Sequence, residues 1–185
     1  MPLKDEAPIH KAWSSGNYDQ AFSCLIQAYA SDFYRTAVRI VLDHEAAQDV
    51  LQEASIKLWK ALPQFKGQSR FSTWATRVVI NESLSHLRRQ KTHLDLDSIT
   101  VAAPSSPYFE SDALLEALHD AVNRLPEKQR LTFQLRYFDE KPFAEIADLL
   151  GTSVGGLKAN YHHAAEKVKK HILALNPSYS DTSND

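Results

Sequence analysis

The run PQFKGQSRFSTWATRVVINESLSHLRRQK, residues 63–91, interleaves Phe65, Phe71 and Trp74 with Lys66, Arg70, Arg77, Arg88 and Arg89. Aromatic faces stack on unpaired bases while cations hold a phosphate backbone, a combination suited to single-stranded DNA. The same spacing also describes a solvated helix whose aromatics are core, and Trp59 just upstream is expected to be core. A second group lies near the other end. Lys158, Asn160, His162 and His163 follow directly on Gly155 and Gly156. An Asn pairs with adenine and a Lys with guanine or phosphate, and glycines in a first helical turn let backbone come close to a phosphate or base edge. Neighbouring residues on a helix diverge by about 100°, so His162 and His163 do not converge on one metal, and no metal site is expected. No nucleophile–base pair, phosphate loop or metal constellation stands out; no catalysis, cofactor or small-molecule substrate is expected.

The elements that must hold these groups are helical. The chain has 185 residues, only 5 of them glycine, and shows long stretches of helical periodicity with no clear alternating strand, which makes it all-α. Phe22, Leu25, Ile26, Tyr29, Phe33, Ala37 and Ile40 form one apolar helical face, and Ala47, Val50, Leu51, Ala54 and Leu58 form another. A third helix opens at FSTW, with Ser72 and Thr73 available as caps and a basic cluster near its end that suits the helix dipole. The segment KTHLDLDSITVAAPSSPYFESD carries turn formers and little periodicity and reads as a flexible linker. Helices resume at ALLEALHDAVNRL and EKQRLTFQLRYF, and the polar end NPSYSDTSND reads as a disordered tail. The expected division is a first domain over 1–91, a linker over 92–111, a second domain over 112–174 and a tail over 175–185.

Between the last two helices the sequence spells a helix-turn-helix. Pro142 suits the first turn of FAEIADLL, Gly151 supplies the left-handed residue that ends it, and Thr152 or Ser153 caps the next helix. Small Ala147 permits close approach, and Ile146, Leu150, Val154 and Leu157 are expected to fill the angle. A formal charge of −2 argues against a protein that coats nucleic acid unaided, while leaving room for local basic patches, so charge alone leaves the partner open. The single cysteine, Cys24, sits among apolar residues as a buried thiol, and no disulfide framework is possible. No export signal or membrane span is visible, so a cytoplasmic location is expected.

Residues 49–91, from DVLQEASIKLWKALPQFKG to SLSHLRRQK, resemble region two of the extracytoplasmic-function (ECF) sigma factors of the sigma-70 family. LPEKQRLTFQLRYFDEKPFAEIADLLGTSVGGLKANYHHA resembles their region four, and GNYDQAFSCLIQAY their opening helix, so the likeness runs from about Ile9 to His171. The resemblance implies an alternative sigma factor that joins core RNA polymerase, recognises minus-ten and minus-thirty-five promoter elements and initiates transcription. Asp49, Gln52 and Glu53 match the family's surface for the beta-prime clamp helices, and the beta flap is the second polymerase contact. Lys66, Gln68, Ser69, Arg70, Phe71, Thr73 and Trp74 match the loop and helix start that hold a flipped minus-ten base, with Arg77 and Asn81 facing the same strand. Ser153, Gly155, Gly156, Lys158, Ala159, Asn160, His162 and His163 match the surface that reads the minus-thirty-five duplex. Many relatives place arginines near the positions of Asn160 and His163; this chain leans less on phosphate charge, so its preferred promoter cannot be copied from theirs.

The resemblance also implies an anti-sigma factor as regulator. Two rival readings remain at this level: a stand-alone helix-turn-helix regulator, which needs a dimer to read two half-sites, and a sigma mimic that sequesters an anti-sigma factor without touching DNA. No heptad or apolar dimer stripe supports the first, and Trp74, Asn81 and the basic stretch argue against the second.

Overall fold

The computed structural model describes residues 4–94 and 113–175, and every regular element among them is helical. The described helices divide into two compact units, α1–α4 and α5–α8.

The first unit comprises α1 (Ala7–Ser14), α2 (Tyr18–Val41), α3 (His44–Ala61), a single 3₁₀ turn (Leu62–Gln64) and α4 (Phe71–Leu94). Helix α2 is the centre: it packs against α1, α3 and α4, while α3 also packs on α4. Ala21, Ala37, Ala47, Ala54 and Ala75 are buried where these helices meet, and their small size lets the backbones approach while Leu25, Phe33, Val50, Leu58 and Val79 fill the interior. Local chemistry sets the ends. Asn17 accepts the Gln20 amide at 3.2 Å to start α2, and Asp43 accepts the Ala46 amide at 2.7 Å to start α3. Cys24 is half-buried against this core. Two expectations need correction. Ser72 and Thr73 lie inside the first turn of α4 and do not cap it; the acceptor comes from Glu6, far away in sequence. Trp59 is 39% exposed and outside the core, because Leu58 occupies the buried position one residue earlier and a helix turns the next side chain away by about 100°.

The second unit comprises α5 (Ala113–Asn123), α6 (Glu127–Phe133), which runs on as a π-helical segment (Gln134–Phe138), α7 (Phe143–Leu150) and α8 (Val154–Leu175). Helix α8 packs on α5, α6 and α7 around Ala121, Val122, Leu125, Phe133, Ala164 and Val168. The π segment interrupts what the sequence reads as one regular helix over 127–138. It buries Leu135 while leaving Tyr137 exposed and stacked on Phe133 at 5.0 Å. Asp120 ties α5 to α8 by accepting from Arg124, just past the end of α5, at 2.9 Å and pairing with His171 of α8 at 2.8 Å. The Arg124 hydrogen bond, with help from His171 and against partial desolvation, holds its carboxyl below the usual value. The expected linker over 92–111 and the tail lie outside the described residues apart from their edges: α4 continues to residue 94 and α8 to residue 175.

Candidate nucleic-acid interfaces

In the first unit, the turn between the 3₁₀ segment and α4 presents Lys66, Gly67, Gln68 and Ser69 to solvent, with Gly67 in the left-handed region at φ 67°. Further along α4, Arg77 and Asn81 are exposed and one turn apart, on a common face. Thr73 and Trp74 are half-buried between these two groups. The aromatics lie beneath the turn instead of above it. Phe71 is fully buried, with its ring 4.4 Å from Phe65, 5.9 Å from Trp13 and 4.8 Å from His10. Phe65 is also core and meets Trp74 at 5.1 Å. The expectation that Phe71 touches DNA is therefore corrected: an aromatic as the first residue of α4, facing α1, is worth more in the core than in solvent, and its faces are covered. Of the three aromatics, Trp74 alone is not fully buried.

Arg70 is half-buried and turned back into the protein. Its guanidinium donates to the Lys4 carbonyl at 2.9 Å and lies 3.4 Å from the Glu6 carboxylate. Glu6 is 7% exposed yet well satisfied: one oxygen accepts the Phe71 amide at 3.0 Å, and the other accepts the Ser72 amide and the Tyr29 hydroxyl, each at 3.0 Å. Burial alone would raise the Glu6 pKa; the Ser72 side chain and amide, the Tyr29 hydroxyl and the Phe71 amide outweigh it and hold the carboxyl below its ordinary value. Tyr29 responds oppositely, pushed up by burial and by the Glu6 charge it donates to.

On α3, Asp49 and Gln52 are exposed, and Glu53 is partly exposed and ion-paired with Arg89 of α4 at 3.0 Å. Arg89 also meets the buried Glu82 at 3.2 Å, and Glu82 pairs with Lys57. The basic end of α4 is thus partly spent on the α3–α4 contact, and Glu53 is drawn into this network. Sequence reasoning missed that Ile56 is exposed along with Trp59 on the α3 face continuing from Asp49 and Gln52. Three- and four-residue steps from Asp49 through Gln52, Ile56 and Trp59 were the available signal.

In the second unit, Pro142 takes the cap position of α7 and not its first turn, with φ −64° and ψ 148°, and Gly151 ends the helix in the left-handed region at φ 62°. Ser153 accepts the Gly156 amide at 3.1 Å and so caps α8. Ile146, Leu149 and Leu157 are buried in the helix-turn-helix, but Val154, the first residue of α8, is 38% exposed and does not fill the angle. The two glycines differ. A methyl group on Gly156 would lie 3.2 Å from the capping Ser153 oxygen, whereas one on Gly155 would meet nothing within 4 Å. The capping contact crowds Gly156, whereas the space beside Gly155 is open. Lys158, Ala159, His162 and His163 are exposed, with Lys158 and His162 one turn apart, while Asn160 is half-buried at the edge of this face. Tyr161 and Phe143 brace α8 on α7 edge-to-face at 5.7 Å, and Arg136 stacks over Phe143 at 5.3 Å. Among the described residues no group of His, Cys, Asp and Glu could hold a metal ion.

Two separate helical units, the second carrying a helix-turn-helix, are the architecture of a sigma-type transcription factor. The family model of sigma-70 region 2 matches residues 25–93, and that of sigma-70 region 4 matches residues 115–168. The RNA polymerase sigma-H factor of Pseudomonas aeruginosa is 33% identical over 173 residues, spanning 84% of this chain and 88% of that protein. The ECF RNA polymerase sigma factor SigW of Bacillus subtilis is 25% identical, spanning 89% of this chain and 95% of its own. The fold is also that of the sigma factor RpoE solved in complex with the anti-sigma factor NepR from Bartonella quintana, with a TM-score of 0.70 at 21% identity over 84% of this chain and 98% of that one. The chain belongs to the ECF group of the sigma-70 family. It is accordingly an alternative sigma factor controlling transcription initiation.

Proposed function

We propose that the chain joins core RNA polymerase in the cytoplasm and divides a promoter between its two units, acting as a non-catalytic specificity subunit. Residues 1–91 hold the polymerase and the melted minus-ten strand, residues 112–174 hold the minus-thirty-five duplex, and residues 92–111 join them. Asp49, Gln52 and Glu53 on α3 offer a rigid polar face for the beta-prime clamp helices. The beta flap meets the second unit. The strand-holding groups are Lys66, Gln68, Ser69, Thr73, Trp74, Arg77 and Asn81, with Arg70 shaping the turn from behind.

The single observation that carries this reading is the exposed Lys66–Ser69 turn leading into the Arg77 and Asn81 face of α4, on a unit other than the one bearing the helix-turn-helix. Stacking is worth roughly 1–3 kcal/mol per base, against a DNA stacking step of about 1.4 kcal/mol. With Trp74 as the stacking residue, aromatic contact offsets about one base step, and hydrogen bonds from the turn and α4 supply the rest. Ser153, Gly155, Gly156, Lys158, Ala159, Asn160, His162 and His163 face the duplex at the start of α8. No described helix is long and apolar enough to cross a membrane, which is compatible with action beside polymerase. The relative solved with NepR supports an anti-sigma factor as the regulating partner.

Run-off transcription with purified core polymerase tests this. The chain should direct initiation from a promoter that it does not bind tightly alone. Tight specific binding without polymerase and a symmetric footprint would establish a stand-alone regulator instead; anti-sigma binding with no transcription would establish a mimic.

A further inference from the structure

Lys4 and Glu6 precede the region-two match, which begins at residue 25, yet they are bonded to the end of the turn proposed to hold the melted strand and the start of α4. Glu6 accepts both leading amides of α4, the orphan donors that every helix leaves at its start. Its negative charge also lies at the positive end of the α4 dipole. Arg70, the last residue of the turn, is clasped between Glu6 and the Lys4 carbonyl. Lys4 is itself anchored on α2, donating to Asp32 at 2.7 Å and lying 5.1 Å above the Tyr29 ring. The Glu6 carboxylate is also held by the Tyr29 hydroxyl, which donates to the oxygen that accepts the Ser72 amide. Both ends of the Lys66–Ser69 turn are thus set: Phe65 is held in the aromatic core, and Arg70 and Phe71 are held by Glu6.

Resting on the reading of this turn and α4 as the strand-holding surface, we infer that Glu6 is a positioning residue for promoter opening: its carboxylate, carried on the N-terminal arm, fixes the turn in the shape that receives an unstacked base. Strand capture needs donors placed before the base arrives, since a turn that must be ordered at that moment spends binding energy on its own ordering. Glu6 touches no DNA. Its effect should therefore fall on the step in which bases leave the stack, and not on polymerase binding or on the first docking to duplex.

The test uses the full chain with core polymerase. Glu6→Gln keeps the volume and one acceptor oxygen but sets an NH₂ group against a donor and removes the charge facing Arg70; Glu6→Ala removes the cap outright. The expected result is unchanged core affinity and unchanged closed-complex affinity. Isomerisation to the open complex should slow about tenfold for Glu6→Ala and less for Glu6→Gln, with most of the loss recovered on a promoter already unpaired across the minus-ten element. Glu6→Gln, as the isosteric variant, carries the test if Glu6→Ala melts early. Loss of closed-complex affinity in step with the rate, or rates within twofold of wild type, would overturn the inference. Asn81→Ala separates the premises. Slow isomerisation there beside a normal Glu6→Gln would sink this inference alone, whereas normal isomerisation for Asn81→Ala would sink the assignment of α4 and this inference with it.

Discussion

Replacing Gly155 by alanine sets stability against binding within one methyl group. Gly155 is the second residue of α8, in helical conformation, and an added Cβ meets no atom within 4 Å. Alanine exceeds glycine by up to about 1 kcal/mol in a helix interior and by less in a first turn, so Gly155→Ala should raise stability by about 0.5 kcal/mol. For a unit of this size that is about 2–4 °C in the second unit's melting temperature. Gly156 has the same propensity to gain but a methyl there lies 3.2 Å from the Ser153 oxygen that caps α8. Disturbing a cap costs about 1 kcal/mol, so Gly156→Ala should be neutral or destabilising. If the open space at Gly155 admits a DNA phosphate to the first-turn amides, its methyl group should obstruct that approach. One lost charge-assisted hydrogen bond then lowers minus-thirty-five affinity by about tenfold. The assay pairs calorimetry of the full chain with competition binding of the polymerase complex to promoters bearing an intact or a scrambled minus-thirty-five element. A more stable Gly155→Ala that discriminates the intact element as well as wild type would refute the assignment of this glycine.

Other consequences follow from the first unit. Phe71 is enclosed, so Phe71→Ala should destabilise that unit by about 3–5 kcal/mol while Phe71→Leu costs far less and retains promoter opening; a requirement for an aromatic ring in open-complex assays, at normal stability, would restore a stacking role. A carboxyl whose folded pKa lies below its unfolded one stabilises the fold above the unfolded value, about 4.3 for glutamate, and loses that contribution as pH falls through the folded value. Glu6 is lowered in this way, so acid unfolding of the wild type should include a limb below about pH 4.3 that is missing in Glu6→Gln, read by circular dichroism against pH. Glu82 is buried between Lys57 and Arg89, both of which reach solvent, so removing it leaves no cation stranded. Glu82→Gln should therefore cost about 1–3 kcal/mol, less than breaking a fully enclosed pair, and denaturant midpoints would show a larger loss if the cations were trapped.

Sequence alone determined what depends on near neighbours. The periodic apolar faces of α2 and α3, the left-handed Gly151 and the Ser153 cap are signals contained within a few residues, because helix formation and capping are settled by groups one turn apart. The order of the two helical units was legible for the same reason. Tertiary structure decided what each aromatic and each charge faces. Phe71, Trp74 and Trp59 look alike in a basic or polar string, yet one is enclosed, one half-covered and one exposed. The cap of α4 comes from Glu6 across 65 residues of chain, displacing the local candidates Ser72 and Thr73. Burial and long-range hydrogen bonding arise only when separate helices meet, and their free energies exceed the local preferences that a linear string can reveal.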